Sequence, residues 1–165
     1  MNNIRHKKIN ILQLITGLGV GGAERVVFDL SKTISKDDFN VYVASLSNRD
    51  DLLKEFISAG IDTTVFRQSN SFLAFFLLIG KVHLFIKRNK ILVIHAHMAH
   101  SIIIASFVKL LNPSLKIVFS SHSLNIGSKF REVLVWILKA FRNIDIISSF
   151  LSLEHIWCSI SFSPL

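Results

Sequence analysis

Apolar residues along this chain come in short runs with two alternating kinds of spacing. Ile9 to Ile15 is a compact run that predicts a strand, and Gly17 to Gly22 is a glycine-rich turn directly after it. From Ala23 to Ile34 the apolar positions Val26, Val27, Leu30 and Ile34 share one helical face. Val41 to Leu46 predicts a second strand. Asp50 is placed to cap a helix running to Ala59, which Gly60 would end in the left-handed conformation. Short strands are expected at Asp62 to Phe66, Ile91 to His95, Leu115 to Ser120 and Ile144 to Ile147. Between them the pattern predicts helices at Ser71 to Arg88, Ala99 to Leu111 and Lys129 to Arg142, the second stopped by Asn112 and Pro113.

Strands that are apolar on both faces, alternating with helices, mean a parallel sheet covered on both sides. With right-handed crossovers the fold class is α/β, a doubly wound, mostly parallel Rossmann-like sheet with helices on both faces. Chemistry in such a sheet belongs at the carboxyl ends of the strands, so the residues just after each strand are the informative ones. The segment around Phe72 to Ile86 is apolar nearly all round, interrupted by Lys81 and His83. It is shorter than the roughly 20 apolar residues that span a bilayer. Two readings stand: a helix packed on the sheet with apolar surface left over, or one resting on a membrane helped by Lys81, Lys87, Arg88 and Lys90.

Composition narrows the class. The chain has 165 residues, of which 50% are apolar and 18% charged, which suits one domain with a sizeable core and argues against disorder. Cys158 is the only cysteine, so neither a disulfide scaffold nor a cysteine-rich zinc site is expected, and a reducing cytoplasm fits. Met1 to Lys8 is polar and basic and leads into a strand-like run instead of a signal core. The net charge of +8 points to an anionic partner. Nucleic acid is not expected, because the basic residues are scattered without a recognition-helix or aromatic-interleaved pattern.

The glycine turn is the first chemical signal. Gly17, Gly19 and Gly22 match the dinucleotide fingerprint, yet the second strand ends in Ser45, Leu46, Ser47 and Asn48, with no acid to hold a ribose. The turn lets backbone approach a ligand, and the free N–H groups of the following helix favour a phosphate or a departing pyrophosphate. A tight turn without a ligand is the bland alternative. His95, His97 and His100 could in principle ligate a metal, and His95 and His97 point the same way from a strand. No further residue with ligand spacing follows them, so no metal is expected. Glu24 is read as a charge that stabilises its helix start.

The segment Ile15-Thr16-Gly17-Leu18-Gly19-Val20-Gly21-Gly22-Ala23-Glu24-Arg25 resembles the opening loop of glycosyltransferase family 4 enzymes. Ile94-His95-Ala96-His97 and Ser120-Ser121-His122-Ser123 are similar to two further strand-end motifs of that family, in the same order. The resemblance covers about Ile9 to Ser148 and implies the amino-terminal, acceptor-side lobe of a two-lobed GT-B enzyme. It implies that Gly21 and Gly22, with Gly19, lie against the donor's phosphates or reacting sugar, and that His122 reaches the donor sugar as the catalytic group. His97 and Asn125 would line the acceptor pocket. It further implies a nucleotide-sugar as donor substrate with no cofactor or bound metal, retention of anomeric configuration, and a saccharide or lipid-linked acceptor in bacterial surface polysaccharide synthesis. Localisation would be cytoplasmic, peripheral at the anionic inner face of the cell membrane.

The departures set the remaining expectations. A complete member has a second, nucleotide-gripping lobe with two glutamates eight positions apart, and no two of Glu24, Glu55, Glu132 and Glu154 have that spacing. From Ser149 onward there is no Lys or Arg and serine is frequent. Residues 1–148 are therefore read as one lobe, and 149–165 as an atypical tail left by truncation or a shifted frame, inactive alone. Three alternatives remain: a subunit of a split transferase whose other lobe is on another chain, a nicotinamide-dinucleotide-binding Rossmann domain, and a non-catalytic interaction module.

Overall fold

The structure, a computed structural model, describes residues 7–67 and 71–120 together with the backbone of 144–147. The helix expected over 129–142 and the tail 149–165 lie outside the described residues. The elements run β1 (Ile9–Ile15), α1 (Gly22–Thr33), β2 (Phe39–Ser45), α2 (Leu53–Ser58), β3 (Asp62–Val65), α3 (Phe72–Arg88), β4 (Val93–His97), α4 (Ala99–Leu111), β5 (Lys116–Ser120) and β6 (Ile144–Ile147). The strands form one sheet in the order β3-β2-β1-β4-β5-β6, and every pairing is parallel. This is the doubly wound α/β architecture that the alternating pattern predicts.

Alternation along the strands divides the core into two layers. Leu12 and Leu14 of β1, Ala44 of β2, Ile94 and Ala96 of β4, and Ile117 and Phe119 of β5 face one way. They pack against Leu78, Ile79, Val82 and Ile86 of α3 and Ile102, Ala105 and Val108 of α4. On the opposite face Ile15 and Val43 meet Val27 and Phe28 of α1 and Phe56 of α2, with Phe28 and Phe56 edge to face at 5.1 Å. Burying large apolar side chains on both faces is what holds a parallel sheet, and it explains why the strands read as continuous apolar runs.

Two elements depart from the sequence reading. Helix α2 starts at Leu53, and Asp50 does not cap it: the N-cap is Leu52, without a side-chain bond, and the Asp50 carboxylate pairs with Arg67 at 3.3 Å. Strand β4 lies two residues later than Ile91 to His95, because its ladder to β1 pairs Ile11 with Val93 and continues to Ile15 with His97. His97 is therefore the last strand residue. Helix α3 packs one side on the sheet and leaves apolar residues exposed on the other, so the first of its two readings describes its seat. At the end of α2, Gly60 takes φ 73°, as expected of a helix-ending glycine.

Candidate functional site

The strand order turns round between β1 and β4, which share a ladder although α1, β2, α2, β3 and α3 separate them in sequence. At such a switch point adjacent connections leave in opposite directions and open a crevice at the carboxyl ends of the strands. The glycine turn after β1 and the His95–His97 pair of β4 sit at this place.

Steric surroundings separate the four glycines of the turn. A Cβ on Gly17 would fall 2.7 Å from Ser47 Oγ and 3.2 Å from Arg49 Cβ, so this glycine lets the turn pack on the loop after β2. The same contact is held by Leu18 N–H donating to Arg49 O at 2.9 Å and Leu52 N–H donating to Leu18 O at 2.9 Å. Leu18 is fully buried and anchors the turn in the α1–α2 layer. On Gly19 a Cβ would make only ordinary contact with Arg49 and Asp51, the nearest atom at 3.5 Å. At Gly21 it would meet the Glu24 carboxylate at 2.5 Å, the far end of a movable side chain. A Cβ on Gly22 would meet no atom of the described residues within 4 Å.

Gly21 is the extended N-cap of α1 and supplies no side-chain cap bond. The first bond of the helix is Arg25 N–H to Gly21 O at 3.2 Å, so the N–H groups of Gly22, Ala23 and Glu24 precede the intrahelical ladder. Together with the helix dipole they favour an anion at this end.

The histidines occupy the layer on the α1 side of the sheet, as their register with Gln13 and Ile15 requires. Their rings lie 4.0 Å apart between centroids, tilted by 39°, and His97 is 0% exposed. His97 Nε2 lies 2.7 Å from Gln13 Oε1, a carbonyl oxygen that can only accept, so Nε2 carries the proton and donates. His95 Nε2 shares a 2.7 Å hydrogen bond with Ser120 Oγ, at the end of β5. His97 thus stands beneath the surface, where it braces β4 against β1. Gln13 and Ser120 belong to this buried polar network. The one sequence signal for Gln13 is a lone amide inside an otherwise apolar strand, apart from Asn10.

His100 belongs to a different place. It lines a cavity of about 260 Å³ with Thr16, Leu46, Ser47, Phe75, Ile103 and Ile104, on the α3–α4 side. Thr16 Oγ1 is buried there without a hydrogen-bond partner, and so is Ser101 Oγ in the first turn of α4. Between the two histidine positions Met98 takes φ 69° and ψ 168°, a region that side chains rarely adopt, as the N-cap of α4. Among the described residues no group of three His, Cys, Asp or Glu could hold a metal ion. His122 and Asn125 lie outside the described residues.

The family model described as Glycosyltransferase Family 4 matches residues 20–153, most of the chain. The chain belongs to Glycosyltransferase Family 4. No curated protein matches its sequence closely. Solved structures carry the fold of this Family 4 chain at low identity. HepE from Anabaena, in complex with UDP and glucose, is 16% identical with a TM-score of 0.67, over 87% of this chain and 45% of its own. A glycosyltransferase from Rickettsia africae is 16% identical with a TM-score of 0.64, over 89% and 44%. MurG from Acinetobacter baumannii is 8% identical with a TM-score of 0.63, over 87% and 42%. The chain therefore spans less than half the length of these GT-B transferases. No described helix is long and apolar enough to cross a membrane.

Proposed function

We propose that this Family 4 chain is the acceptor-side lobe of a transferase that moves a sugar from a nucleotide-sugar to a saccharide or lipid-linked acceptor, with retention, in bacterial surface polysaccharide synthesis. The observation that carries the reading is Gly22. Among the described residues nothing lies where its side chain would be, its φ is not in the left-handed region, and it opens a helix ahead of the first intrahelical hydrogen bond. A ligand that comes flush against the backbone accounts for that space. A phosphate fits it best, since charge growing on a departing nucleotide would meet fixed N–H dipoles that need no reorganisation.

The acceptor would enter beside it, over the 260 Å³ cavity, where Ser47 and His100 offer polar side chains and Ile103, Ile104 and Phe75 offer apolar contact. His97 serves here as a positioning residue under the cleft, its tautomer fixed by Gln13. His122 keeps the catalytic role that the family resemblance gives it. The nicotinamide alternative is disfavoured, because β2 ends in buried Ser45 and offers no carboxylate for a ribose.

Calorimetry of the chain with UDP-glucose and with a nicotinamide dinucleotide tests the reading. Binding of the nucleotide-sugar alone, abolished by Gly22→Leu, is expected. Equal or tighter binding of the nicotinamide dinucleotide would overturn it.

A further inference from the structure

We propose that Arg49 is a further phosphate-binding residue of this site, holding a guanidinium beside the glycine turn for the departing nucleotide. The proposal rests on the reading of the α1 start given above and adds a charge that the backbone there lacks.

The placement begins with the loop after β2. Ser47 N–H donates to Thr16 O at 2.8 Å, Leu18 N–H to Arg49 O at 2.9 Å and Leu52 N–H to Leu18 O at 2.9 Å. These bonds pin the backbone of the loop against the turn. Arg49 N–H in turn donates to Ser47 Oγ at 3.3 Å. From this anchored point the side chain runs along the turn. Its Cβ lies 3.2 Å from where a Cβ on Gly17 would be, and its Cδ and Nη1 lie 3.5 and 3.8 Å from that of Gly19. The stem therefore rests on Gly17 and the charged end stands beside Gly19, shortly before the N-cap Gly21. Gly19 is buried, while Val20, Gly21, Gly22 and Arg49 itself are exposed. A ligand at the tip of the turn thus meets the guanidinium more readily than the backbone of Gly19.

The charges around the turn give this cation its purpose. Arg25 is committed to Glu55 at 2.6 Å and Arg67 to Asp50 at 3.3 Å. Arg49 forms no ion pair among the described residues. Two carboxylates stand near it: Glu24 lies against Gly21, and Asp51 Oδ2 is 3.7 Å from a Cβ on Gly19. A phosphate approaching the N–H groups of Gly22, Ala23 and Glu24 has to pass both. The partial charge of roughly +0.5 at a helix start does not offset two carboxylates. Arg49 adds a full unit of positive charge on the same rim, and its planar fork matches two phosphate oxygens at once.

Nuclear magnetic resonance of the chain titrated with inorganic pyrophosphate tests the proposal. The Arg49 Nε–H signal and the amides of Gly21 to Glu24 are expected to shift together, with one dissociation constant. Arg49→Gln keeps a stem on the turn and should weaken binding about tenfold, the loss of one charge-assisted hydrogen bond. Arg49→Lys, a point charge without the fork, should recover only part of that loss. Asp51→Asn should act in the opposite direction and tighten binding about threefold. Both positions are exposed, so circular dichroism should show the same fold in every variant. Shifts at Gly21 to Glu24 that persist unweakened in Arg49→Gln overturn the role of Arg49 and leave the docking of an anion at α1 standing. A shift of Arg49 Nε–H without those amides marks an adventitious ion only and also overturns it. Pyrophosphate that moves neither set of signals overturns the proposal and the reading beneath it together.

Discussion

A methyl group added at Gly17 would sit 2.7 Å from Ser47 Oγ, whereas one added at Gly22 would touch none of the described residues. Gly17→Ala should therefore destabilise the chain by about 1–3 kcal/mol through overpacking. Ser47→Ala in that background should recover part of the loss, read as coupling in a urea-denaturation cycle. Gly22→Ala should leave stability unchanged or raise it by up to about 1 kcal/mol. The sequence shows the cluster of glycines but not this division of labour, which depends on the loop after β2 folding back over the turn. Met98 offers a second test. Its positive φ costs roughly 1–3 kcal/mol, so Met98→Gly should raise the denaturation midpoint where Met98→Ala does not. Gln13 is the reverse case. Gln13→Leu leaves the buried His97 Nε2–H without its acceptor and should cost about 1–3 kcal/mol in the same measurement.

At the scale of elements, the pattern of apolar residues locates strands and helices well where both flanks are marked. Helix α4 runs from Ala99 to Leu111 as read, because Asn112 and Pro113 stop it and its start follows a strand end. The shift of β4 has a physical origin: Ile91 and Leu92 look like strand, but the ladder to β1 sets the register, and Leu92 is exposed. Local capping logic also failed at Asp50, because Arg67, a residue distant in sequence, takes its carboxylate. Helix α3 has a side-chain cap that the sequence reading did not assign: the Ser71 hydroxyl accepts Ala74 N–H at 3.1 Å. Ser71→Ala should cost about 1 kcal/mol in the urea midpoint. Helix α3 needed the structure, since a helix apolar all round does not announce which half meets the sheet.

At the scale of the whole molecule, the parallel sheet and its two helical layers were legible from alternation alone. The switch point between β1 and β4 was not, because strand order is settled by packing and crossover direction. Once that order is known, the glycine turn and the β4 histidines, far apart in sequence, meet at one crevice. The account rests on an anion docking at the start of α1. Backbone amide chemical shifts of the chain titrated with UDP-glucose test that most directly. Shifts centred on Gly21, Gly22, Ala23 and Glu24, lost in Gly22→Leu, are predicted. Shifts confined to the lysine-lined cleft of Lys8, Lys32 and Lys36 at the opposite end of the sheet would contradict it.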